Sequence, residues 1–560
     1  MDNSKKKANF TPKDNNEDIK NNTTFKNRGK IFTIIVFIIM TLLILILATN
    51  KFFISEIKEN ADAKDTIKII SGSENKILEP LLEKFEKQEG IHIQMTYMGS
   101  VDIMQELEKG AEDYDAVFPA NSIWISMGDT NLKVKHQKSI TTTPVVFGIK
   151  KSVANKLGFV GNDVSTKDIL DKIKSKELKF MMTSATQSNS GATAYLGFIY
   201  ALLENPEVIN ESDLDNVKLK EDVTTILSGI NRSSGSSDWL KDLFLESDYD
   251  AMVNYESIII ETNQHLIEQG KEPLYVVYPK DGLGIADSPL GYIDNGNSKK
   301  EEEFLKLQKF LISEDTKKEL MNLGRRTAFG LNFKATNTNV FNPDWGVDTE
   351  KVLNVMKMPS ANVIKKALNL YQTELRKPSL TVYCVDYSGS MYNEGKDSLC
   401  NAMDLLLDQG KAEKYMLQAS ERDVTIIIPF SNEVMDVWKV EGNNKISLGD
   451  LSTKLKNLDA AGGTNIYDSV IRAADEINKY NKEEYTASII LMTDGVSNGG
   501  SYYNVKNKWE NENLDIPIFS ITFGNSDETQ LDKLARLSKA RVFDGKKDLE
   551  SAFKKAKGYN

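Results

Sequence analysis

Asp386, Ser388 and Ser390 stand two residues apart in the stretch DYSGSM, at the end of the apolar run SLTVYCVD at 379–386. Two other loops offer related chemistry. AGGTN places Thr464 behind a pair of glycines, and LMTDG places Asp494 at the end of another apolar run. Together the three loops carry two carboxylates and three hydroxyls, all hard oxygen donors. Such a set suits Mg2+ or Mn2+ in octahedral geometry, with water completing the shell. Neutral hydroxyls do not cancel the charge of the ion, so a metal held this way stays electrophilic and can accept a carboxylate from outside. Ser, Thr and Asp also favour helix caps and turns, and a single loop of this kind reads as a cap. Three such loops in order point to a metal site.

The elements that must position these loops are legible around them. SLTVYCVD and IILMTDGVSN (489–498) read as core strands ending in aspartate at a glycine turn, and AGGTNIYDSVIRAADEI (461–477) as a glycine turn leading into a helix. In α/β sheets, ligands gather at the carboxyl ends of strands. These motifs closely resemble the von Willebrand factor A (VWA) family. DYSGSM matches its D-x-S-x-S element, GGTN its threonine loop and LMTDG its second aspartate, with Tyr387 in a variable position. The resemblance extends over about residues 379–555, through IFSITFG at 518–524. It implies a doubly wound, Rossmann-like sheet with helices on both faces. It also implies a metal-ion-dependent adhesion site, where an Asp or Glu of a protein partner completes the coordination. The expected domain is 379–560.

Upstream, residues 66–335 alternate short apolar strands with amphipathic helices, as in IKII (67–70), ILEPLLEKFEKQ (77–88) and IHIQMTYM (91–98). That grammar predicts an α/β domain with a mostly parallel sheet. Loops holding Ser73, Ser100 and Ser190 follow strands and begin helices, where backbone amides and hydroxyls can seat an anion or polar ligand. The unit resembles bacterial extracellular solute-binding proteins in segments such as IISGSENKILEPLLEKFEKQEG, TPVVFGIKKSVANKLGF and SNSGATAYLGFIYALL. The resemblance implies a two-lobed, periplasmic-binding-protein-like domain with hinges near 141–148 and 282–290. Ser73, Ser100, Ser190 and Tyr255 would face the cleft and bind a small polar or anionic solute. Glu256 would bind a cationic group or cap a helix, and Trp124 would line the cleft or pack in a core. A break rich in Thr and Asn opens a linker with helices at 336–378.

The first 65 residues differ in kind. Residues 31–48 form an apolar run without a charge, nearly long enough to span a bilayer core as a helix. Eight Lys or Arg against four acids precede it, which predicts a cytoplasmic tail at 1–30. The expected topology is a single transmembrane helix at 31–49, a spacer at 50–65 and extracellular domains beyond. The Asn/Lys/Ile-rich composition, with no lipid-bearing cysteine after the apolar run, suggests a Gram-positive-type bacterium. The formal net charge of -11 argues against nucleic-acid binding. The two cysteines, Cys384 and Cys400, are expected to be buried free thiols, and the three histidines match no zinc spacing. No phosphate-binding loop or Cys/His pair with supporting residues is present, and the serines lack a histidine base with any positional logic, so catalysis is not expected. The functional expectation is adhesion or assembly through the metal. The alternative is capture or sensing of a small solute, relayed to a partner or a transporter.

Overall fold

The computed structural model describes residues 66–558, apart from 328–332, 334, 336, 352, 523, 525–527 and 547–548. The expected tail, membrane helix and spacer lie outside the described residues. Among the described residues no helix is long and apolar enough to cross a membrane. From Ile67 onward the described chain forms one compact unit with three sheets.

The first lobe is built on five strands in the order His92–Met98, Thr66–Gly72, Ala116–Phe118, Pro289–Ile293, Val134–Ser139. Thr66–Gly72 runs parallel to Ala116–Phe118, whereas Pro289–Ile293 runs antiparallel to both of its neighbours. The second lobe orders Ile285–Ala286, Thr143–Lys150, Ala251–Tyr255, Phe180–Thr183 and Ile230–Ser234, with Leu274–Val277 also paired to Thr143–Lys150. Here Phe180–Thr183 runs parallel to both of its neighbours, and Thr143–Lys150 antiparallel to all three of its own. The sheets are therefore mixed, not mostly parallel as the strand–helix alternation predicts. A strand that arrives from the other lobe needs no crossover helix, so nothing forces it into the parallel sense.

The chain passes between lobes at 140–142 and at 287–288. The second passage falls inside the expected hinge at 282–290. Of the hinge expected at 141–148, only the start is a connection. From Thr143 the run TPVVFGI is buried on every residue and forms a central strand. A third tie lies beside the first, where the Thr142 N–H donates to the Arg326 carbonyl at 2.8 Å.

The carboxyl-terminal sheet orders Trp438–Glu441, Val424–Phe430, Ser379–Asp386, Thr486–Thr493, Ile518–Thr522, Val542–Asp544. Every pairing is parallel except that of the edge strand Trp438–Glu441. Alternate residues of Ser379–Asp386 point to opposite faces. Tyr383 and Val385 pack with the helices Glu394–Leu407, Lys445–Asn457 and Leu549–Gly558. Leu380, Val382 and Cys384 pack with Ile466–Ile477, Tyr502–Asn511 and Glu528–Leu537. Both faces are covered, so the strand is an unbroken apolar run. The same geometry keeps the cysteines apart. Cys384 belongs to one face and Cys400 to the helical layer on the other, and both are buried and free.

The segment between these domains does not hang as a tether. Val363, Ile364, Ala367 and Leu368 of the helix Ala361–Leu370 lie in the core of the second lobe. The Tyr195 hydroxyl donates to the Ala367 carbonyl at 2.9 Å.

Candidate functional site

Asp386 is the last residue of its strand, and Asp494 follows directly on the neighbouring strand Thr486–Thr493. Parallel pairing therefore delivers both carboxylates to the same end of the sheet. The Ser388 N–H donates to Asp386 Oδ1 at 2.7 Å, which fixes the turn. The Ser388 and Ser390 hydroxyl oxygens are 3.0 Å apart, and Ser390 Oγ donates to Asp494 Oδ1 at 2.8 Å. The threonine loop is pinned to the first loop by the Gly389 N–H, which donates to the Gly462 carbonyl at 2.9 Å. A β-carbon at Gly495 would meet Thr464 Oγ1 at 3.1 Å and Ser390 Oγ at 3.4 Å. Thus glycine at 495 leaves room for two hydroxyls to approach. All five residues marked from sequence converge on one place.

Several partners were not marked from sequence. Thr493 Oγ1 donates to Asp386 Oδ2 at 2.6 Å and so orients the carboxylate from behind. Asn432 Oδ1 accepts from the Gly463 N–H at 2.7 Å, and Asn498 Oδ1 from the Thr464 N–H at 3.1 Å. The only local hint was that Thr493 precedes Asp494 and that Asn498 closes the same loop. Tyr387 is buried, and its hydroxyl donates to the Leu455 carbonyl at 2.6 Å.

Burial pushes the Asp386 carboxyl up to about 6, against the lowering effect of its hydrogen bonds, and nearby Asp494 pushes the same way. Burial also raises Asp494. Two carboxylates that burial disposes against ionisation, set at the same end of the sheet, suit a cation beside them. The donor set fits Mg2+ or Mn2+: carboxylates and hydroxyls, no nitrogen or sulfur, with room for water. Among the described residues no group of three or more His, Cys, Asp or Glu could hold a metal, so the hydroxyls are essential to any site here. An open pocket of about 600 Å³ adjoins Ser390 and Asp494 and is bordered by Tyr392, Asn393, Lys546 and Leu549.

Three of the four residues assigned to the solute cleft meet at the seam between the lobes. Ser190 Oγ lies 2.8 Å from Ser237 Oγ and from Thr183 Oγ1. The Tyr255 hydroxyl accepts from Asn189 Nδ2 at 3.0 Å. Ser73 Oγ accepts the Asp238 N–H at 3.3 Å across the seam. Ser100 differs, because its hydroxyl accepts the Ala120 N–H at 3.0 Å within its own lobe. The N-cap residues Ser188, Ser236 and Tyr255 make no side-chain cap bond, so simple capping does not account for this cluster. Trp124 is fully buried in the same seam, with Nε1 donating to Asn189 Oδ1 at 2.7 Å. Glu256 does not cap its helix, and the cationic group it meets in this structure is Arg326. It holds Arg326 through two hydrogen bonds, Nε to Oε1 at 2.7 Å and Nη2 to Oε2 at 2.6 Å.

Two lobes joined by short crossings, followed by a doubly wound sheet with oxygen donors at its carboxyl edge, define a two-module binding architecture. Residues 67–326 match the bacterial extracellular solute-binding protein family, and residues 381–497 match the von Willebrand factor type A domain. The chain therefore joins a solute-binding-protein-like domain to a VWA domain. Among curated relatives, inter-alpha-trypsin inhibitor heavy chain H3 of Pongo abelii is 27% identical over 163 residues, covering 27% of this chain and 17% of that protein. Heavy chain H2 of Sus scrofa is 26% identical over 193 residues, covering 32% and 19%. The chain thus spans less than a fifth of the length of these relatives. Among solved structures, the periplasmic binding protein P5PA aligns at a TM-score of 0.40 with 16% identity, covering 56% of this chain and all of that one. AfuA of Actinobacillus pleuropneumoniae, with fructose-6-phosphate bound, aligns at 0.39 with 14% identity, covering 54% and 93%.

Proposed function

We propose that this protein is a membrane-anchored extracellular binding protein that engages an acidic group on a protein partner, in adhesion or complex assembly. Asp386, Ser388, Ser390, Thr464 and Asp494 would hold Mg2+ or Mn2+ at the docking point. The observation that carries this reading is the convergence of two carboxylates and three hydroxyls from separate loops beside an open pocket. Once bound, the cation supplies an electrophilic seat for an Asp or Glu of the partner. Ser390 and Asp494 hold each other in place at the rim, and Thr493 steadies Asp386 from within the sheet. The apolar run at 31–48 with its basic flank supports a single-pass anchor with the amino terminus in the cytoplasm. The site is read as a place of binding rather than reaction, because its carboxylates and hydroxyls form one oxygen donor set for a cation, with no histidine among them. A pull-down with the full-length chain, with and without EDTA, tests the proposal. Capture of a protein partner should be lost in chelator and in Asp386→Ala; capture that persists in both sinks it.

A second reading is capture of a small solute by the two-lobed domain, relayed through the VWA domain to a partner or a transporter. It is favoured by the hydroxyl cluster of Ser190, Ser237 and Tyr255 at the seam, where three helices begin. A thermal-shift screen of small solutes on the full-length chain tests it. Stabilisation by one chemical class supports capture, and no shift across the screen rejects it.

A further inference from the structure

The seam between the lobes holds charged side chains whose hydrogen-bonding capacity is unfilled. Arg325 is 1% exposed, and its Nη2 donates to the Glu74 carbonyl. Its Nε and Nη1 find no partner among the described residues. Glu74 is 4% exposed, and its Oε1 likewise finds none. Native proteins rarely bury charged donors and acceptors in this state without a bound group to receive them.

Position gives these atoms a context. Glu74 begins at the carboxyl end of the strand Thr66–Gly72, and Arg325 follows the helix Glu314–Asn322, both in the first lobe. Arg325 lies in the field of Glu74, Glu261, Tyr255 and Asp238. Tyr255 in turn is hydrogen-bonded to Asn189 and lies in the field of both Glu74 and Arg325. The helices Asn189–Leu202, Ser237–Leu245 and Glu256–Glu268 all start here and aim their amide ends at the same region. The idle atoms therefore sit where both lobes meet.

We propose that this seam is the seat of a small zwitterionic solute, with its acidic group on Nε and Nη1 of Arg325 and its ammonium on Oε1 of Glu74. This rests on the solute-capture reading of the two-lobed domain. The idle atoms have opposite polarity. An anion alone would fill Arg325 and set a second negative charge beside Glu74. A cation alone would do the reverse beside Arg325. A zwitterion fills both and leaves the net charge of the seat unchanged. The solute must be small, because the lobes touch at Gly99, where a β-carbon would fall 2.1 Å from the Gln187 carbonyl and 2.9 Å from that of Gly235.

Calorimetric titration of the full-length chain tests this, with L-alanine and glycine as zwitterions, acetate as the anion and methylammonium as the cation. A zwitterion should bind at least a hundredfold more tightly than either single-charge probe. Glu74→Gln and Arg325→Lys should each weaken it at least tenfold. Ser237→Ala, a gentler change, should weaken it severalfold and serves if a charge variant does not fold. Acetate binding as tightly as L-alanine, or binding unmoved by Glu74→Gln, overturns the zwitterion while leaving solute capture standing. Failure of every probe to bind, with ordered water alone filling the seat, overturns the zwitterion, and the thermal-shift screen then decides whether solute capture stands.

Discussion

The Trp239 ring of the second lobe meets Phe519 of the carboxyl-terminal sheet edge to face, with centroids 5.9 Å apart. Trp239 belongs by packing to the hydrophobic core of the VWA domain, and Arg541 covers it at 5.0 Å. Arg232 adds an ion pair to Asp515 at 2.9 Å across the same boundary. Two modules thus share a core residue.

Trp239→Ala should therefore act on both modules. A buried Trp truncated to Ala costs about 3–5 kcal/mol. Scanning calorimetry of the variant should show the VWA domain melting separately and earlier. A single transition at the original temperature would show that the contact carries no coupling.

Thr493 touches no solvent and is not among the proposed metal donors, yet its hydroxyl steadies Asp386. Groups in that supporting position typically contribute about 10–100-fold in metal affinity. Thr493→Val should weaken Mn2+ binding by that order, read by titration calorimetry, while the fold survives. Unchanged affinity would place Asp386 outside the metal's coordination.

Glu256 and Arg326 form a bidentate ion pair with both side chains at 0% exposure. Removing one partner strands the other charge in the interior, at a cost of about 3–5 kcal/mol. Arg326→Met should show that loss in denaturant unfolding. Glu256→Leu combined with Arg326→Met should recover part of it, because no lone charge remains. Recovery is partial, since Tyr278 also donates to Glu256 and Asp348 accepts from Arg326.

Asp423 ties the linker to the VWA domain. It accepts from Arg376 Nη1 at 3.0 Å, the Ser379 N–H at 2.7 Å and the Ser420 N–H at 2.8 Å. Burial works to raise its carboxyl, but the Arg376 guanidinium prevails and holds it at about 2, below the ordinary 3.8. A depressed carboxyl stabilises the fold above its unfolded value and loses that contribution as the pH falls through its folded value. The window runs from about pH 4 down to about pH 2, and a shift of this size corresponds to roughly 2 kcal/mol. Unfolding midpoints measured across that window should fall more steeply for the native chain than for Asp423→Asn. Equal slopes would deny Asp423 its part in acid unfolding.

Some of this was readable in the chain alone. Asp386, Ser388, Ser390, Thr464 and Asp494 each sit in a short loop after a core strand or before a helix, so type and spacing are local properties. Parallel pairing then brings the loops together, and the alternation of Leu380, Val382 and Cys384 with Tyr383 and Val385 already describes a sheet covered on both faces. Strand direction in the two lobes was not readable, because strands such as Thr143–Lys150 and Pro289–Ile293 find antiparallel neighbours from distant parts of the sequence.

By itself the sequence determined the VWA fold, the oxygen set at its edge and the serines at helix starts in the two-lobed domain. Tertiary structure alone decided which of those serines share a seam and that Glu256 belongs to Arg326. It also placed Trp239 in the core of another module, and it left side-chain atoms of Glu74 and Arg325 without a partner among the described residues. The physical reason is range. Turns, caps and periodicity are set within a few residues, whereas buried charge is satisfied by whatever the fold brings near, and here Glu74 and Arg325 come from opposite ends of one domain.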